Sequence, residues 1–126
     1  MTIIQGIKVN GAASGTATVS SATNSTAYTA PATGYALIQI GLSRDSGSAQ
    51  ADIQVKIGGR AIYTVRGWTT AFPADLPASN SSGVAQGGTL NGFVVGPSEA
   101  VTIFATNYTG GSYTLVVSGV ELINTT

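Results

Sequence analysis

Asp52-Ile53-Gln54-Val55-Lys56-Ile57-Gly58-Gly59-Arg60-Ala61-Ile62-Tyr63-Thr64-Val65 reads as a β-hairpin. Apolar and polar residues alternate on both sides of a central Gly-Gly pair. Two adjacent glycines between alternating runs make a two-residue turn that needs positive φ. The simplest register pairs Ile57 with Arg60, Val55 with Ile62 and Ile53 with Thr64. Ile53, Val55, Ile57 and Ile62 then share a core face. Asp52, Gln54, Lys56, Ala61, Tyr63 and Val65 share the other face. A slip of one residue would bury Asp52, Gln54 and Lys56, so the pattern specifies its own register.

The same period of two recurs along the chain. Thr2–Val9 reads as a short strand ended by the turn pair Asn10-Gly11. The segment from Ala12 to Thr33 is dominated by Ala, Ser, Thr and Gly, with weak strands expected near Thr16–Ser21 and Ser25–Thr29. Disorder is the competing reading for Asn10–Ser25. In Tyr35–Leu42, Ala36, Ile38, Ile40 and Leu42 share one face, opposite Tyr35, Leu37 and Gln39. Arg66–Gly88 is a long irregular segment. Thr89–Val95, a turn at Gly96-Pro97-Ser98-Glu99, Ala100–Thr106, a turn over Asn107–Ser112 and Tyr113–Ile123 complete the pattern, with Gly119 expected as a bulge. No helical period of useful length appears. Seven to nine short strands separated by turn signals indicate an all-β antiparallel sandwich or barrel. The length fits one domain over 1–126, with 1–24 as a candidate N-terminal arm.

Composition excludes more functions than it names. The chain has no His, no Cys and ten charged side chains, five of each sign, for a net charge of zero. Catalytic triads, Cys-His pairs and ordinary zinc sites are therefore excluded. Absence of Cys removes disulfides and is compatible with a reducing compartment. Lys56, Arg60 and Arg66 are too few and too scattered for a nucleic-acid surface. No stretch approaches the roughly eighteen apolar residues of a membrane span, and Met1–Gln5 lacks the features of a signal peptide. The sequons at Asn24, Asn80, Asn107 and Asn124 read as coincidences of composition.

The carboxylates Asp45, Asp52, Asp75, Glu99 and Glu121 are the only candidates for a glycosidase pair. Asp45 and Glu99 read as turn residues and Asp52 as the start of a strand. Arg44-Asp45 and Asp52 match no calcium loop. The Gly-Gly pairs at 58–59, 87–88 and 110–111 read as turns, without the spacing of a phosphate loop. No enzyme activity, cofactor or metal is expected.

The order of strands and turns carries a resemblance. Ala27-Tyr28-Thr29-Ala30-Pro31 leads into Gly34-Tyr35-Ala36-Leu37-Ile38-Gln39-Ile40. Ile53-Gln54-Val55-Lys56-Ile57-Gly58-Gly59 follows. Gly92-Phe93-Val94-Val95-Gly96-Pro97-Ser98-Glu99-Ala100-Val101-Thr102-Ile103 comes next, and Val116-Val117-Ser118-Gly119-Val120-Glu121 closes the series. From about Tyr28 to Glu121 this resembles small jelly-roll proteins of tailed bacteriophages, such as capsid decoration (cement) proteins and the heads of short tail fibres. The resemblance implies a tumour-necrosis-factor-like jelly roll of about eight strands, commonly trimeric and without catalytic residues. It implies a virion structural protein made in the host cytoplasm and placed on the capsid surface. Its partners would be itself, as a homotrimer, and the major capsid protein. A tail or fibre head domain is the alternative within that class. A carbohydrate-binding module and, behind it, a small glycosidase are the alternatives outside it.

Seven residues are candidates for an interface. Trp68, Phe72 and Leu76 lie in the long segment Arg66–Gly88, and aromatic residues are enriched where interfaces carry their energy. The competing reading has Trp68 and Phe72 plugging one end of the sandwich. Trp68 with Tyr63 would alternatively form a sugar-stacking platform, for a glycan partner. Tyr35 and Leu37 oppose the core face of their strand, and Tyr63 and Val65 oppose theirs. Outward apolar residues of this kind call for a covering surface, which a trimer supplies by ring closure.

Overall fold

The computed structural model describes residues 6–44, 50–68, 78–80 and 86–124. Nine strands follow one another: β1 (Ile7–Val19), β2 (Asn24–Thr29), β3 (Gly34–Arg44), β4 (Ala51–Ile57), β5 (Arg60–Trp68), β6 (Ala78–Asn80), β7 (Gln86–Val95), β8 (Ala100–Thr106) and β9 (Tyr113–Asn124). There is no helix among the described residues. One sheet has the order β1-β9-β3-β7, extended by the three-residue β6, and the other has β2-β8-β4-β5. Every pairing is antiparallel. Two facing four-stranded sheets, between which the chain crosses at every connection except β4–β5 and β6–β7, form a jelly roll.

Alternation places the core between the sheets. On β3 Ala36, Ile38, Ile40 and Leu42 are buried, on β4 Ile53, Val55 and Ile57, on β8 Val101, Ile103 and Ala105, and on β9 Leu115 and Val117. The Gly58-Gly59 turn has φ of 58° and 81°, as the hairpin reading requires.

Beyond that turn the register departs from the simple one. Ile57 faces Arg60 and Lys56 faces Ala61, but Val55 faces Tyr63 and Ile53 faces Val65. Ile62 is an extra residue on β5, a bulge that reverses the facing of all that follows. Tyr63 and Val65 therefore turn toward the core, and their expected place on the outer face is corrected: Val65 is buried and Tyr63 packs partly buried against the core cluster. A second bulge sets Trp68 opposite Ala51, with Gly67 at φ 59°. Three more expectations change. Asn10-Gly11 is a bulge inside one long β1 and not a turn between strands. Over 1–24, where an arm was one reading, Ile7–Val19 forms the edge strand beside β9. Gly119 pairs in regular register and is not a bulge. A Cβ there would lie 2.0 Å from the Leu37 carbonyl oxygen, which explains the glycine.

Two carboxylates hold the turns. Asp52 Oδ1 accepts from the Gly67 N–H at 2.7 Å, and its Oδ2 accepts from Asn107 Nδ2 at 2.7 Å. Glu99 accepts from the Gly96 N–H at 2.7 Å and pairs with Arg60 at 3.0 Å. The Asn107 side chain, then the Gly67 N–H, hold the Asp52 carboxyl below its usual range. Arg60, then the Gly96 N–H, do the same for Glu99. Both folded pKa values lie below the unfolded ones. The stabilisation is therefore complete above the ordinary carboxylate range and is lost as pH falls through the folded values.

These carboxylates set the pH dependence of stability. With no His or Cys to titrate, the melting temperature is expected to stay flat from about pH 6 to 9 and to fall only in the carboxylate range. In Asp52→Asn that acid limb is expected to be shallower, because the amide does not titrate and its loss of one acceptor lowers stability equally at every pH. Calorimetry from pH 2 to 9 checks both. Trp68→Ala is expected to cost about 3 kcal/mol or more, as a buried Trp leaves a cavity. Gly67→Ala is expected to cost about 1 to 2 kcal/mol through its left-handed backbone. Chemical denaturation of the two variants reads these values.

Candidate interaction face

The seven candidate interface residues separate into three groups. Trp68 is 1% exposed. Its ring lies 5.4 Å from that of Tyr113, tilted by 55°, and Tyr113 Oη donates to the Trp68 carbonyl at 2.8 Å. Arg44, also fully buried, hydrogen-bonds the same hydroxyl. Burial pushes the Tyr113 pKa up, and Arg44 partly opposes this. Trp68 thus seals one end of the core, and its reading as an interface anchor is corrected. The Trp68–Tyr63 sugar platform is not formed, since Trp68 is enclosed and Tyr63 faces inward. Phe72 and Leu76 lie outside the described residues. Tyr35 and Leu37 stand where alternation puts them, on the outer face of the first sheet.

Cross-strand register extends that outer face into rows. Val9, Leu122 and Tyr35 form one row across β1, β9 and β3. Ala12, Val120, Leu37 and Val94 form the next, reaching β7. Ser14, Ser118, Gln39 and Asn91 follow, then Thr16, Val116, Gly41 and Thr89. The last row contains Thr18 and Thr114, whose hydroxyls lie 3.0 Å apart. The face is apolar at one end and neutral-polar toward the other. None of these outward positions carries a charge. Every exposed large apolar side chain among the described residues stands here: Ile7, Val9, Leu37, Val94 and Val116, between 43% and 66% exposed.

The outer face of the second sheet is different. It presents Asp52, Gln54 and Lys56, with the Lys56 ammonium 4.7 Å above the Phe104 ring. The Arg60–Glu99 pair lies at the adjoining turns. The described carboxylates serve the fold: Asp52 and Glu99 as above, and Glu121 by accepting from Tyr28 Oη at 2.5 Å and Asn10 Nδ2 at 3.2 Å. Burial, then the bonded Glu121, raise the Tyr28 pKa strongly. Asp45 and Asp75 lie outside the described residues. No cluster of three acidic, His or Cys side chains suited to a metal occurs among the described residues.

A groove of about 550 Å³ crosses the uncharged face. Leu37 and Val94 line one side, and Gln39, Asn91 and Ser118 the other. Gly119 and Gly92 leave its floor without side chains. Gly92 is the extra residue of a β7 bulge, at φ 87°. The sequence reading found Tyr35 and Leu37 but missed Val94, Val116 and Val9. The signal for the first two was available, since Val94-Val95 and Leu115-Val116-Val117 are continuous apolar runs. Such runs mark strands covered on both faces.

No protein-family model matches the sequence, and no curated protein matches it. Among solved structures, the chain is similar to one in the acidic stable capsid structure of Helicobacter pylori bacteriophage KHP30. The TM-score is 0.59 at 10% identity, over 98% of this chain and 99% of that one. It is also similar to a chain of the cyanophage Pam1 capsid asymmetric unit, with TM-score 0.42 and 23% identity, over 92% and 85% of the two chains. The KHP30 likeness is one of fold, over the whole length of both chains, and the Pam1 likeness is too loose to add to it.

Proposed function

We infer that this chain is a non-enzymatic structural protein of a phage particle, which decorates and stabilises the capsid. The observation that carries the reading is the uncharged outer face of the first sheet. The apolar end of that face, where Val9, Leu37 and Val94 stand exposed, is a patch of the kind that marks interaction sites. Four strands about 4.8 Å apart and roughly ten residues long cover on the order of 600 Å². That is close to the roughly 800 Å² per partner of a standard specific interface. The jelly roll shared with a chain from the KHP30 capsid structure supports the setting. The partners in this reading are the major capsid protein and further copies of the chain, assembled as a homotrimer on the capsid surface. Low charge favours the self-association, because little repulsion keeps copies apart.

Purified protein is expected to co-sediment with heads lacking it and to raise the temperature at which those heads open. Light scattering at high micromolar concentration is expected to give three times the chain mass. Recovery on tails and not on heads overturns decoration in favour of a tail or fibre role. A monomer mass overturns the trimer.

A further inference from the structure

The groove on the uncharged face has chemistry specific enough to indicate its occupant. One wall is apolar, made by Leu37 and Val94. The other offers the side-chain amides of Gln39 and Asn91 and the hydroxyl of Ser118. The floor is backbone at Gly119, packed close against β3, and at Gly92, the bulge residue of β7, where a Cβ would meet nothing within 4 Å. We propose that this groove is the docking site for an uncharged, extended segment of the shell protein that carries an apolar side chain. The assignment rests on the capsid reading above and names the part of the surface that makes the contact.

Charge decides the class of partner. A charged segment entering the groove would lose its water and find no counter-charge at any outward position of the face. A neutral segment avoids that cost. Its apolar side chain fits the Leu37–Val94 wall, and its peptide groups find donors and acceptors on the amide wall, as in other modes of extended-chain recognition. A second copy of this chain is a poorer match. A three-fold ring needs two different surfaces in contact. The outer face of the second sheet would bring Asp52 and Lys56 against the uncharged face. Pairing the face with itself would close a two-fold dimer and hide it from any particle.

The test uses Leu37→Asp and Val94→Asp, with Thr64→Asp on the outer face of the second sheet as control. Val94 is 57% exposed, so its variant keeps the test valid even where Leu37→Asp folds poorly. Binding to heads lacking this protein is expected to weaken at least about tenfold in both groove variants, through an unpaired charge at the contact. The control is expected to bind as the wild type. A photo-crosslinking amino acid in place of Val94 is expected to couple to the shell protein on reconstituted heads. Groove variants that bind like the wild type overturn the docking site alone, and so does coupling to another copy of this chain. Wild-type protein that fails to bind heads overturns the capsid reading together with the site.

Discussion

One carboxylate governs the end of the sandwich. Asp52 lies beside the buried Ala51 at the start of β4, and its two oxygens hold the Gly67 N–H on β5 and the Asn107 amide after β8. The first of these bonds fixes the Gly67 bulge. That bulge sets Trp68 opposite Ala51 and turns its indole into the core. Trp68 then packs on Tyr113, whose hydroxyl also meets Arg44. Three strands, a turn and the largest core side chain therefore depend on the geometry of one short acidic side chain. A bulge costs a ladder hydrogen bond, and Asp52 supplies a charge-assisted one in return.

Enclosing the aromatic residues leaves the two outer faces with unlike tasks. The second sheet turns Asp52, Gln54 and Lys56 to solvent, the ordinary condition of an exposed antiparallel sheet. The first sheet turns valines, leucines, threonines and amides outward without one charge. Uncharged side chains cost little to dehydrate when hydroxyls and amides find partners, so such a face is less costly to cover than the second. Val94 and Leu37 lie directly opposite each other across β3 and β7, so the apolar wall of the groove is a cross-strand pair.

The strands and their core faces were legible because alternation is local. Ala36 to Leu42, Ile53 to Ile57 and Val101 to Ala105 each carry their inward set within a few residues, and each is buried as read. The Gly58-Gly59 turn was legible for the same reason. Tyr63, Val65 and Trp68 were not. Their facing depends on two inserted residues, Ile62 and Gly67, and an insertion leaves no trace in a period-two pattern until the partner strand is known.

The sequence by itself determined that this is a neutral, thiol-free all-β chain with hairpin turns, because composition and the period of two need no long-range information. Tertiary structure alone decided which apolar residues stand exposed on an outer face and which meet the core. Val9, Leu122 and Tyr35 are far apart along the chain and become one row only through the pairing of β1, β9 and β3. The uncharged face is a property of register across four strands, and register is fixed by how the two sheets close on each other.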